Sequence, residues 1–193
     1  MLDLKWITKL ILALDISTSC TGWCVFKNGI FVNMGYINTP NSCKDMMDKA
    51  NYVKDALLNL TLDYAIDKIY IEENLQAFRP GLSSAKTLLT LARFNGIVSY
   101  LCLDIFGIKP EYINVNSARK LAGIKIDRKS NETTKQQILK WVTNDLKEIK
   151  WIWPTKILKS GKNKGKERIL EYCYDMADSY VIAKASCLQL EKM

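Results

Sequence analysis

The apolar residues of this chain follow two rhythms, one of period two and one near 3.6. Residues 10–16, "LILALDI", are an almost unbroken apolar run, the pattern of a strand buried on both faces. Residues 21–27 and 30–37, "TGWCVFK" and "IFVNMGYI", predict two more strands. Asn28-Gly29 lies between them and suits a type I′ turn, which needs positive φ at both central positions. The chain therefore opens with three strands, of which at least two form a hairpin.

The rhythm then becomes helical. Residues 44–60 place Met47, Ala50, Val53 and Leu57 on one stripe, with Asn41 or Ser42 as the candidate cap. "DKIYIEEN", residues 67–74, predicts a fourth strand that ends in Glu72 and Glu73. Residues 82–103 carry Leu88, Leu91, Ala92, Asn95, Val98 and Leu101 along one helical stripe. Pro110 precedes a fifth strand, "EYINV", and helices near 117–122 and 131–147 follow. Residues 154–168, "PTKILKSGKNKGKER", hold a proline, two glycines and six basic residues, and predict a mobile basic loop. The segment "ILEYCYDMADSYVIAKASCLQL" predicts one long helix. No internal repeat or boundary interrupts this series, so residues 1–193 read as a single domain. The order β-β-β-α-β-α-β-α predicts an α/β fold: a ribonuclease-H-like mixed five-stranded sheet with helices on both faces.

Composition narrows the chemistry. Among 193 residues there is no histidine, which excludes Ser-His-Asp and Cys-His catalysis and histidine general bases. The six cysteines are scattered without a Cys-x-x-Cys pair, so reduced core thiols are expected and a zinc site is not. No apolar run approaches the ~20 residues of a bilayer span, and no membrane partner is expected. The short apolar stretch after Lys5 and Lys9 ends at Asp15 without a small-residue cleavage site, so it reads as a strand and the expected location is cytoplasmic. The net charge of +8 is unevenly spread. Residues 109–168 carry 16 Lys/Arg and 6 Asp/Glu, while the remainder is slightly acidic. A basic half of this kind points to a partner rich in phosphates.

Four acids stand out against this background. Asp175 and Asp178 lie three apart on the last helix, hence on one face with Cβ atoms roughly 5–6 Å apart. Their neighbours are apolar on nearly every side, which implies burial. Buried adjacent carboxylates repel each other and lose hydration unless a cation lies between them. Asp15 at the end of strand one and Glu72 at the end of strand four share the problem. Strands one and four are neighbours in this topology, so all four acids can converge beneath the last helix. Alternation with Tyr70 selects Glu72 over Glu73. An all-carboxylate set without histidine suits Mg²⁺, or Mn²⁺ as a substitute. Two such ions activate a water and stabilise the leaving oxygen in phosphodiester cleavage.

At these residues the sequence resembles the RuvC family of Holliday-junction resolvases, most of all the divergent phage-encoded type found in lactococcal phages. "LALDISTSCTGWCVF" resembles the family's first-strand motif, and "IYIEENL" its Ile-Glu motif. "YDMADSYVIA" resembles its Asp-x-x-Asp-Ala helix, with Ser179 where alanine is usual. "NSARKLAG" and "TKQQILKWV" resemble its two basic motifs, with Arg119 at a family lysine and Lys135 on the other. The resemblance spans roughly residues 10–190 and implies a homodimer with two metal sites that nicks four-way DNA junctions in pairs. It implies catalytic roles for Asp15, Glu72, Asp175, Asp178 and Lys135. Arg119, Lys120, Lys125, Arg128, Lys129 and Lys135 are the expected DNA contacts. Leu75 stands where the family has an aromatic wedge, and Phe78 is its candidate substitute. With that change, forks and other branched DNA are expected substrates too. The helix at 82–103, with Leu88, Leu91, Phe94, Ile97 and Leu101, is the candidate dimer face.

Rival readings use the same features. A ribonuclease H or 3′–5′ exonuclease shares the sheet, but such exonucleases usually carry Asp-x-Glu where this chain has Asp15-Ile16-Ser17. An actin-like sugar kinase needs a second such domain and a Gly-rich adenosine motif that this chain lacks. A non-catalytic branched-DNA-binding protein would use the basic half alone, yet would weaken its own binding by keeping four acids near phosphates.

Overall fold

Alternation along the strands sorts the core into two layers, one on each side of a single sheet. The computed structural model describes residues 9–73 and 84–191. Strands β1 (Leu10–Ile16), β2 (Cys20–Lys27) and β3 (Ile30–Asn38) open the chain, followed by α1 (Met46–Asp63), β4 (Lys68–Glu72), α2 (Ala85–Phe106) and β5 (Glu111–Ile113). Then come α3 (Val115–Leu121), α4 (Thr134–Asp145), a small ribbon of β6 (Thr155–Ile157) with β7 (Glu167–Ile169), and α5 (Tyr172–Leu190). The main sheet runs β3-β2-β1-β4-β5. The first three strands are antiparallel, and β1-β4 and β4-β5 are parallel. This is the expected mixed five-stranded architecture, with β1 beside β4.

Leu12, Leu14, Val25, Ile69 and Ile71 face α1 and α2, against Val53, Leu57, Phe94 and Val98. Ile11, Ala13, Cys24, Phe26 and Tyr70 face the other way, against α3, α4 and α5. Each large apolar side chain fully withdrawn from water contributes about 1.5–3 kcal/mol. Charge on the strands is therefore confined to their ends. Asn28 and Gly29 have φ of 52° and 78°, the turn that their sequence predicts.

Several expectations shift. The cap of α1 is Asp45, not Asn41 or Ser42; its side chain accepts from the amides of Met47 and Asp48, and Asp48 reaches back to complete a capping box. Residues 154–168, expected as a loop, contain the β6-β7 hairpin, with only the stretch between the two strands left as a turn. Its second strand ends at Ile169, the first residue that periodicity assigned to the last helix, and α5 begins only at Tyr172. Helix α2 does reach the length and hydropathy of a bilayer span, unlike the sequence expectation. Its inner stripe is nevertheless packed on the sheet. Phe94 is wholly buried there, so it belongs to the core and not to an exposed dimer face. The outward apolar residues of α2 are Leu89, Tyr100 and Leu103. Leu75 and Phe78 lie outside the described residues.

Candidate active site

The charged end of β1 is explained by what surrounds it. Ser17 closes the turn after Asp15: its amide and its Oγ both donate to the Cys20 carbonyl, at 3.0 and 2.7 Å. The small polar residues after Asp15 thus form the β1-β2 turn and leave the carboxylate at the sheet's end. Asp15 lies opposite Gly22 in the antiparallel register. The Leu14–Ile71 pairing puts Glu72 next to Asp15 on the other side. Both acids point toward α5, the side occupied by Ala13 and Tyr70.

Helix α5 crosses above them at close range. A Cβ on Gly22 would lie 2.0 Å from the carbonyl oxygen of Asp175, so only glycine admits the helix backbone there. Asp175 and Asp178 consequently hang over the row formed by Glu72, Asp15 and Gly22. Two cations meet them. Lys135 Nζ, from α4, donates to Asp175 Oδ1 at 3.0 Å. Arg119 Nη2, from α3, stands 3.6 Å from Asp178 Oδ1. Arg119 Nε is buried without a hydrogen-bond partner.

The electrostatics record the crowding. Burial, then the charges of Glu72, Asp178 and Asp175, push the Asp15 carboxyl well above its ordinary range, against a smaller pull from Lys135. Burial and Asp178 raise Glu72, while a hydrogen bond with Asp15 and the cations Arg119 and Lys135 oppose the shift. Asp178 is raised chiefly by burial, with Arg119 and Lys135 resisting. Burial alone would lower Lys135, but Asp175, with Asp178 and Asp15 behind it, holds its proton and raises it. These are carboxylates in need of positive charge.

The donor set fits a hard divalent cation: oxygen ligands only, partly buried, mutually repelling. Among the described residues, no three such groups already stand at the spacing of a formed metal shell. Asp175 and Asp178 are each engaged by a basic side chain instead. An open cleft of about 200 Å³ leads to the acids, lined by Asp15, Ser17, Glu72, Glu73, Leu88, Leu91 and Asn95. Glu72 is the glutamate that shares a charge environment with Asp15 and Asp178; Glu73 lines the cleft beside it.

The sequence reading missed two contributors. Asn95, which it placed in an apolar stripe, is buried and donates Nδ2 to the Glu72 carbonyl at 3.3 Å, fixing the end of β4. Gly22 was visible only as part of a Thr-Gly pair, and its need for close helix approach emerges from tertiary packing. Of the expected DNA contacts, Arg119 and Lys135 join the acids. Lys120, Lys125, Arg128 and Lys129 are exposed on α3 and the segment after it, and none pairs with the four acids among the described residues.

No family model matches the chain. It is 29% identical over 147 residues to "Crossover junction endodeoxyribonuclease RuvC" of Aliarcobacter butzleri, an alignment covering 72% of this chain and 87% of that protein. Its structure superposes on Thermus thermophilus RuvC with a TM-score of 0.58 at 12% identity, covering 95% of this chain and 96% of that one. The structure of T. thermophilus RuvC in complex with a Holliday junction substrate gives 0.61 at 11% identity, with the same coverage of both chains.

In sequence and in fold the chain is similar to RuvC.

Its sheet is accordingly ribonuclease-H-like, as the strand order predicted. The RuvC motifs matched in sequence at Asp15, Glu72, Arg119, Lys135, Asp175 and Asp178 come from five different elements. In this chain they meet at one place.

Proposed function

We propose that this chain is a Mg²⁺-dependent endodeoxyribonuclease that nicks Holliday junctions and other branched DNA. The observation that carries this reading is the convergence of Asp15, Glu72, Asp175 and Asp178, with Lys135 and Arg119 alongside and an open cleft against Asp15 and Glu72. Two Mg²⁺ ions held by the four carboxylates, with Mn²⁺ as a substitute, would supply an activated water and stabilise the leaving oxygen. The chain's own residues do the remainder. Asp15 and Glu72, side by side on rigid strands, present oxygens toward the cleft. Lys135 leaves Asp175 for the scissile phosphate and offsets the charge that builds on it. Arg119, with its spare Nε–H, is placed to hold a phosphate oxygen. Lys120, Lys125, Arg128 and Lys129 grip the flanking backbone by counterion release. The site of action is the cytoplasm.

Paired nicking requires two sites on one junction, and a two-fold homodimer supplies them. The outward residues Leu89, Tyr100 and Leu103 of α2 form its face. Light scattering is expected to give about twice the chain mass of 22.1 kDa. Tyr100→Glu should give folded monomers that leave a supercoiled cruciform plasmid open-circular instead of linear. A wild-type monomer that still linearises the plasmid in one binding event would overturn the dimer.

The deciding experiment offers four-way, forked and linear DNA with and without Mg²⁺. Cleavage of branched substrates only with the metal is the expected result. Binding without cleavage would leave a non-catalytic DNA-binding protein, and trimming of linear ends an exonuclease.

The acids also set a pH dependence of stability. A carboxyl whose pKa is raised by folding contributes fully below its unfolded value, near 4, and loses that contribution as pH climbs toward the raised one. Asp15, Glu72 and Asp178 are all raised. The metal-free protein should therefore melt at lower temperature at pH 8 than at pH 5.5. Added Mg²⁺ should raise the melting temperature more at pH 8, because protons no longer compete for the oxygens. Equal stabilisation at both values would show that Mg²⁺ does not bind these groups.

A further inference from the structure

None of the family motifs touches residues 155–169, yet this is the most basic part of the chain. Two strands hold it in shape. Lys156 pairs with Arg168 and Ile157 with Glu167, and the Leu158 amide donates to the Lys166 carbonyl at 3.0 Å. Cross-strand partners share a face, so Lys156, Arg168 and Lys166 point to one side. Lys159, Lys162 and Lys164 occupy the turn, whose corners are Gly161 and Gly165 at φ of 79° and 82°. Every one of these six cations is exposed, and among the described residues only Arg168 has an acidic partner, Glu171 at 3.6 Å. Five unpaired lysines on so short a ribbon repel each other and have no internal use.

The hairpin's base is fixed beside the acids. The Leu170 amide donates to the Pro154 carbonyl at 3.0 Å, and Cys173 Sγ donates to the same oxygen at 3.4 Å. Asp175 follows within the first turn of α5. From Thr155 to the turn the ribbon extends up to roughly 20–25 Å, the rise of about six or seven base pairs. We infer that the β6-β7 hairpin is a separate duplex-binding arm. It holds backbone phosphates of the DNA arm that leaves the active site, several base pairs beyond the cleaved bond. This inference rests on the branched-DNA reading and extends it from the site to the substrate's arm.

The test compares the wild type with K159A/K162A/K164A/K166A, four exposed side chains whose loss leaves the fold intact. The probes are four-way junctions with arms of about 20 or about 4 base pairs, titrated over a range of salt. On long arms the variant should bind more weakly, and its salt slope should fall by about 0.9 for each phosphate that the variant no longer neutralises. On short arms the hairpin has nothing to hold, and variant and wild type should bind alike. Equal slopes on long arms overturn the inference, and so does an equal loss on both lengths. A changed mass in light scattering with long-arm binding intact would assign the ribbon to self-association and overturn it too. If the wild type binds linear duplex as tightly as junctions, the branched-DNA reading fails. A reduced slope for the variant on long linear duplex, absent on short, would still sustain the arm.

Discussion

Asp15→Asn is expected to leave the protein folded and bound to branched DNA while metal-dependent cleavage falls by roughly three orders of magnitude or more. Metal-held phosphodiester cleavage draws several kcal/mol of barrier lowering from its ligands, and about 1.4 kcal/mol is a factor of ten. The amide retains the size of the side chain and removes the charge. The Asp15 carboxyl is pushed well above its ordinary range by its surroundings, through burial first and Glu72 next. Neutralising it relieves repulsion among the remaining three, so the metal-free variant should melt no lower than the wild type at pH 8. With one negative charge fewer near a phosphate, junction binding should hold or tighten. Normal Mg²⁺-dependent cleavage by this variant would exclude Asp15 as a ligand. A large fall in melting temperature would mean that the carboxylate has a structural partner instead.

Gly22→Ala is the second large effect. One methyl group would stand 2.0 Å from the Asp175 carbonyl oxygen and 2.3 Å from its carbon, and both are backbone atoms that no rotamer change can move aside. The whole helix must lift. Overpacking of this kind costs about 1–3 kcal/mol or more. The lift also carries Asp175 and Asp178 away from Asp15 and Glu72, so cleavage should fall even where the variant stays folded. Thermal melting and junction cleavage, measured at a temperature where the variant is folded, separate the two losses. Wild-type stability together with wild-type cleavage would show that α5 does not press on β2 as described.

Both expectations depend on features that differ in how well the sequence shows them. Asp15 was legible because a charge closing an apolar strand breaks the local pattern. Asp175 and Asp178 were legible because they interrupt a helix that is apolar almost all round. Glu72 followed from strand alternation once Tyr70 was assigned to the core. Gly22 and Asn95 were not legible. Their roles come from a helix resting on a sheet and from a side chain reaching a carbonyl 23 residues away, and neither leaves a periodic trace. Phe94 was misread for the same reason, since helical spacing shows that a stripe is apolar without showing which neighbour covers it. The β6-β7 ribbon was hidden by its composition. Lysine, glycine and asparagine mark turns and solvated loops, and three paired residues per strand are too few for alternation to register.

The two halves of the acid cluster are far apart in synthesis. Asp15 and Glu72 belong to strands made early, while Asp175 and Asp178 arrive on α5 more than a hundred residues after Glu72. A chain leaves the ribosome at roughly 5–20 residues per second, so the sheet has several seconds in which to pair before α5 exists. Until α5 is made, Asp15 and Glu72 lack their two helical partners, and Lys135 has no Asp175 to hold. A nascent or prematurely halted chain therefore carries half of its acid site. The other half is made last, and it reaches the first only where α5 rests on Gly22.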